Sequence, residues 1–271
     1  MKIAVVFPPN RGEASALADK VVKIAEERGI EAILQPKTSV AKDIDFVFSL
    51  GGDGTVLYAA KLAYDSCVPV VGVNLGHLGY LAEVEATQIN FAIEALVNGK
   101  FQIEERMTLS VGVERQNGED LEPVMALNDA VVERVEPGRT IRITATLNGR
   151  LFVTYTADGI VVATPTGSTA YNLSVRGPIV SPRLDAMILT PISPHLVFDR
   201  PLVLEPDIDL RLELQGVRHA SLLVDGDREV RLEPGDSVFC RQGGKKTKLV
   251  RINRAIDFHD TVKAKFGFGV S

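Results

Sequence analysis

One carboxylate sits inside a glycine turn. Gly51-Gly52-Asp53-Gly54-Thr55 follows directly on the apolar run Asp45-Phe46-Val47-Phe48-Ser49-Leu50. A β-branched and aromatic run that breaks into glycines reads as a buried strand ending in a tight turn. Residues 55–63 continue with helical spacing, so the unit predicts strand, glycine turn and helix N-terminus. Backbone N–H groups and the helix dipole at such a terminus favour phosphate, and glycine lets a ligand approach the main chain closely. Asp53 would repel phosphate if it were only part of the cradle. Its presence points to metal binding or proton abstraction, and so to phosphoryl transfer. The competing reading makes Asp53 a helix cap.

A second segment has complementary chemistry. Residues 157–163 read as a strand, and Thr164-Pro165-Thr166-Gly167-Ser168-Thr169-Ala170-Tyr171 follows. Hydroxyl donors, free N–H groups and one aromatic face suit the ribose, phosphate and base of a nucleotide. Taken alone, such a stretch is an ordinary loop. Between the two motifs, Asn128 and Asp129 interrupt an apolar strand running from Val124 to Val135. Polar side chains in a strand core are costly unless paired. The pair is therefore a turn, a satisfied buried pair, or a grip for ribose hydroxyls.

In this order along the chain, GGDGT at 51–55, Leu127-Asn128-Asp129 and TPTGSTAY at 164–171 resemble the NAD kinase family. So do Pro191-Ile192-Ser193-Pro194-His195 and Arg200-Pro201-Leu202-Val203, and the likeness extends from the first strand to about Asp260. GGDGT alone is shared with lipid kinases and is similar to a phosphofructokinase turn; the other motifs are far more specific. The resemblance implies an α/β N-terminal domain with a parallel sheet, of the NAD kinase and diacylglycerol kinase type, plus a mainly β C-terminal domain. It implies phosphoryl transfer from ATP, or from inorganic polyphosphate, to the 2′-hydroxyl of the adenosine ribose of NAD, giving NADP. Magnesium would accompany the donor, with no metal ligand set of the protein's own.

The same resemblance distributes roles. Asp53 becomes the base for the 2′-hydroxyl, with Gly54 and Thr55 in the nucleotide-binding turn. Asn128 and Asp129 contact the ribose, Asp129 standing where many relatives carry glutamate. Asp158 meets an amide or amino group of the substrate, and Thr166, Thr169, Ala170, Tyr171 and Ser174 line the rest of the dinucleotide pocket. Arg139 matches a basic position that touches ligand. The site is expected between the two domains, in a homodimer or homotetramer. Two residues depart from the family pattern: Tyr58 stands where many relatives have arginine, and Arg176 where glycine is usual. His195 receives no proton-transfer role, Asp225-Gly226 reads first as a hairpin turn, and Lys245–Lys248 as a solvated loop.

The elements that must carry these residues change character along the chain. Strands at 3–7 (ending at Pro8-Pro9), 31–34, 46–50 and 68–73 alternate with helices at 13–28 and 86–98, the signature of a helix-covered parallel sheet. Ligands on such sheets bind beyond the carboxyl ends of the strands, so Gly51–Thr55 and Asn74–Gly79 should face one cleft. After about Phe101 the pattern turns to short β runs, with one helix expected near Arg183–Thr190. The domains are expected at 1–101, completed by about 248–271, and at 102–247.

With 271 residues, 45% of them hydrophobic, the chain can bury a substantial core. A net charge of −5 argues against a general nucleic-acid binder. Cys67 and Cys240 lie far apart with no metal-ligand spacing and read as reduced thiols. The opening Met1-Lys2 leads straight into a strand, so no signal peptide is expected. No apolar run approaches a bilayer span, and the expectation is a cytoplasmic protein without membrane contact. Two rival functions are a lipid kinase, which would need a membrane-docking surface, and a sensor that binds NAD or NADP without turnover.

Overall fold

The chain folds as two compact units, Met1–Arg106 with Lys246–Ser271, and Met107–Lys245. The computed structural model describes residues 1–8, 12–34, 40, 42–76, 79–195, 198–252 and 258–267, with backbone only at 228 and 229.

In the first unit one sheet collects β1 (Lys2–Val6), β2 (Glu31–Leu34), β3 (Phe46–Gly51), β4 (Val70–Asn74), β5 (Val84–Glu85), β6 (Gln102–Arg106) and the late strand Thr247–Arg251. Strands β2, β1, β3 and β4 are parallel neighbours in that order. Thr247–Arg251 continues the sheet parallel to β4 and pairs antiparallel with β6 at the edge. Helices α1 (Gly12–Glu26), α2 (Asp53–Ala63) and α3 (Ile89–Val97) cover it. Leu17, Val21 and Ile24 of α1 join Phe48, Leu50, Val71, Val73 and Ile93 in one core, as the helical spacing predicts. On the opposite face, Val56 of α2 approaches Gly72, where an added Cβ would lie 3.2 Å from its methyl group. Burial on both faces is why β3 reads as a nearly continuous apolar run, broken only by Ser49 before its closing glycine.

The second unit is a sandwich of two six-stranded sheets. One holds β7 (Leu109–Glu114), β8 (Leu121–Ala126), β10 (Ile141–Leu147), β11 (Arg150–Ala157), β15 (Leu210–Gln215) and β18 (Ser237–Gln242). The other holds β9 (Asp129–Arg134), β12 (Gly159–Ala163), β13 (Met187–Ile192), β14 (Leu202–Leu204), β16 (Ala220–Val224) and β17 (Arg228–Leu232). Alternate residues such as Val111, Ile143 and Leu212 of the first meet Val132, Ile160 and Leu222 of the second in one core. The second sheet is buried on its outer face too, where Val131, Val161 and Ile188 pack against Val180. A short helix, α4 (Tyr171–Ser174), belongs to the segment that supplies this cover.

Several expectations need correction. The apolar run 124–135 is two strands in different sheets, β8 and β9, and Leu127-Asn128 is the step between them. The helix expected near Arg183–Thr190 is absent: Met187–Ile192 is the strand β13, whose apolar run serves a sheet buried on both faces. Thr247 belongs to a strand rather than to a solvated loop and is buried, while the strand expected from Lys248 to Ile252 is present as Thr247–Arg251. Strands β6 and β17 went unread because both are charged edge strands, QIEER and REVRL. Pro9, His77 and Leu78, named above in a strand end and a turn, lie outside the described residues.

Candidate functional site

In the first unit, β3 carries Gly51 and Gly52 to the carboxyl edge of the sheet, where α2 begins at Asp53. Gly52 is the N-cap and offers no side chain, so the first-turn N–H groups lack a side-chain cap and suit an anion. Gly51 is required by the fold: a Cβ there would lie 2.1 Å from Oγ1 of Thr55. Gly52 and Gly54 are different. A Cβ on either would meet nothing within 4 Å, and neither has a positive φ. The fold does not demand glycine at these two positions, and the open space beside the backbone is room for a ligand.

The Asp53 carboxylate turns towards the loop after β4. Oδ2 accepts the Tyr80 N–H at 2.8 Å, and Oδ1 accepts those of Leu81 and Ala82 at 3.0 and 3.3 Å. Gly79 allows this approach, since a Cβ there would sit 2.0 Å from Oδ1. This anchoring to a distant loop is a different job from capping α2. A carboxylate has about four acceptor positions, so Oδ2 keeps one for an incoming hydroxyl. Alongside, Asn74 pairs with Gly51 across the strands and closes its own turn on Gly76. Tyr58 is exposed on α2.

In the second unit the candidate residues collect where the chain steps from one sheet to the other. The first step, Leu127-Asn128, is clamped by Asp225: its Oδ2 accepts the Leu127 N–H at 2.8 Å, and Oδ1 accepts those of Asn128 and Asp129 at 2.7 and 3.1 Å. Asp225 reaches them from the β16–β17 hairpin with φ +51°, and its own N–H returns a bond to the Asp129 carbonyl. The Asp-Gly pair signals that hairpin in the sequence; the clamp was missed because nothing local marks a carboxylate aimed at a strand some hundred residues upstream. Asp129 is buried, and burial, followed by the Asp225 charge, pushes its carboxyl up to about 7. Asn128 is half-buried.

Thr164 fastens the hydroxyl-rich loop to this step. Its Oγ1 donates to the Leu127 carbonyl at 2.6 Å and accepts the Gly167 N–H at 3.0 Å. Gly167 packs so closely that a Cβ would lie 2.1 Å from the Asn128 carbonyl oxygen. Thr166 is buried, and Thr169 donates to its carbonyl at 3.2 Å. Asn172, fully buried, holds the far side: Nδ2 donates to the Pro178 carbonyl and Oδ1 accepts from Thr190 at 2.6 Å. Ala170 and Tyr171 follow at the start of α4, and Ser174 ends it, exposed.

The second step between sheets is Asp158, whose carboxylate pairs with Arg134 Nε at 2.9 Å. Beside it lies a cavity of about 320 Å³, lined by Tyr171, Asp158, Glu133, Arg134 and Pro137 among others. Burial first, and then the charges of Glu133, Asp129 and Asp158, raise the Tyr171 hydroxyl. An aromatic ring beside two carboxylates and a guanidinium suits a ring bearing amino or amide groups. Arg139 stands apart, exposed past a turn and absent from this lining, and His195 is exposed. Glu133 and Arg134 were not foreseen, because a charged strand end reads as ordinary surface. Among the described residues no group of three or more His, Cys, Asp and Glu side chains is placed to hold a metal ion, and no helix is long and apolar enough to cross a membrane.

Comparison with known proteins covers both units. Residues 14–101 match the model of the ATP-NAD kinase N-terminal domain, and residues 127–252 that of the ATP-NAD kinase C-terminal domain. The chain is 33% identical over 282 residues to the NAD kinase of Geotalea daltonii, covering 99% of both chains. It is 44% identical over 218 residues to that of Heliobacterium modesticaldum, covering 80% of this chain and 77% of the relative. Its fold matches the crystal structure of yeast NADH kinase complexed with NADH at a TM-score of 0.89 and 23% identity, over 100% of this chain and 89% of the other.

Proposed function

The chain belongs to the NAD kinase family, and we propose that it transfers a phosphoryl group from ATP to the 2′-hydroxyl of the adenosine ribose of NAD, with inorganic polyphosphate as a second donor to be tested. The observation that supports this reading best is the pair of dispensable glycines, Gly52 and Gly54, around a carboxylate fixed by three N–H donors. The open space beside the first-turn N–H groups leaves room for a phosphate next to that carboxylate.

In this reading Asp53 accepts the proton of the attacking hydroxyl at its remaining Oδ2 position. The uncapped start of α2, with Gly54 and Thr55, receives phosphate. Asn128 and Asp129 hold ribose hydroxyls, and Tyr171, Ala170, Thr166, Thr169 and Asp158 receive the rest of the dinucleotide. Arg139 and Ser174, both exposed, would reach ligand only from the rim. Magnesium would accompany the donor, held mainly by phosphate oxygens and water, and would neutralise phosphate charge there. The protein acts in the cytoplasm as a homodimer or homotetramer. The test is NADP formation from NAD and magnesium with ATP and polyphosphate in separate reactions. Product with ATP supports the reading; NAD binding without product from either donor overturns it in favour of a sensor.

A further inference from the structure

We propose that Arg251 is a positioning residue for Asp53, acting through the single peptide group between Leu81 and Ala82. Arg251 lies on the late strand Thr247–Arg251, and its side chain is only 10% exposed. Its Nη1 donates to the Leu81 carbonyl at 3.0 Å. The N–H of that same peptide group is Ala82's, and it donates to Oδ1 of Asp53 at 3.3 Å. A cation therefore faces the negative end of one peptide dipole while the Asp53 carboxylate faces its positive end. Hydrogen bonds in such a chain polarise and strengthen one another.

The guanidinium is itself held. Nε donates to Glu104 at 2.5 Å, Glu83 lies 3.5 Å from Nη1, and Arg106 steadies Glu104 at 3.1 Å. The backbone N–H that follows, Ile252's, donates to Glu83 at 3.2 Å. A buried ionic cluster is a costly way to join strands, because apolar residues of similar volume do so as well or better. Its geometry explains the expense: the fork of one arginine spans Glu104 and the loop that orients Asp53. A second late residue bears on the same loop, with Lys265 Nζ over the Tyr80 ring at 4.6 Å, and Tyr80 supplies another of the Asp53 donors.

The inference rests on the reading of Asp53 as the base, so wild type and Asp53→Asn are assayed in the same series. An inactive wild type or a fully active Asp53→Asn defeats that reading and the inference with it. Arg251→Lys keeps the charge but not the planar fork that reaches both partners. With folding verified by its thermal midpoint, kcat is expected to fall about ten- to a hundredfold while KM for NAD stays near wild type. Added to Asp53→Asn, the same change should lower the residual rate no further, since both act through one carboxylate. An unchanged kcat in folded Arg251→Lys, or an equal loss in both backgrounds, overturns the proposal. If Arg251→Lys does not fold, Glu104→Gln is read in the same two backgrounds: loss confined to the wild-type background supports the proposal, and equal loss or none overturns it.

Discussion

Two carboxylates in this protein have opposite surroundings. Asp53 is met by three backbone N–H donors, whereas buried Asp129 faces the charge of Asp225. Asp129 ionises near 7 in the fold against an ordinary 3.8, so the native state keeps a proton that the unfolded chain gives up. The stability of the ligand-free protein should therefore decline as pH rises between those two values and level off above them. Asp129→Asn should flatten this slope, raising stability at pH 8 by up to about 4 kcal/mol and leaving it unchanged at pH 4. Urea unfolding at both pH values measures it, and a parallel offset would contradict the argument. Arg176 offers a second test: it adopts φ +68°, in the region that favours glycine. Arg176→Gly should stabilise by about 1 kcal/mol. A loss of stability would mean that the arginine makes compensating contacts. The sequence singled out Asp53 and the TPTGSTAY hydroxyls as candidates for chemistry. It could not show that Thr164 fastens a loop or that Arg251 lies behind Asp53, because both act through contacts distant along the chain.

At the level of elements, the second unit places Asn128, Asp129 and Asp158 at the steps between sheets, and Thr164 ties the hydroxyl loop to the first of them. A chain that leaves one sheet for the other leaves backbone N–H groups unpaired, and buried donors of that kind need acceptors. Asp225 supplies acceptors for three of them at one step. Asp225→Ala should cost about 3 kcal/mol or more, since the three donors lose their partner together. Chemical denaturation reads this, and an unchanged midpoint would show that water replaces the carboxylate. Most strands and helices of the first unit were legible because a 3.6-residue period and buried β-branched runs are strong local signals, whereas the charged edge strand β6 carries neither. Met187–Ile192 was not legible either. A short apolar run fits a buried helix as well as a buried strand, and only the neighbours β12 and β14 decide it.

At the level of the whole chain, the order of motifs carried more than any one of them. A glycine-rich turn with an aspartate fits several kinase classes; the same turn followed by Asn128-Asp129 and the hydroxyl loop fits one family, which both matched halves bear out. Leu151 and Phe152, neighbours on β11, are exposed, 72% and 41%, and the second copy in the proposed oligomer would cover side chains of this kind. Light scattering of the purified protein should give two or four chains per particle, and a monomer at assay concentration would remove that part of the proposal. The most direct test of the central claim is a paired measurement on Asp53→Asn: NADP formation from NAD, magnesium and ATP, with NAD binding to the same sample by calorimetry. The account predicts wild-type product, a loss of at least about a hundredfold in the variant, and NAD affinity within a fewfold of wild type. Turnover near the wild-type rate in a variant that still binds NAD would contradict it.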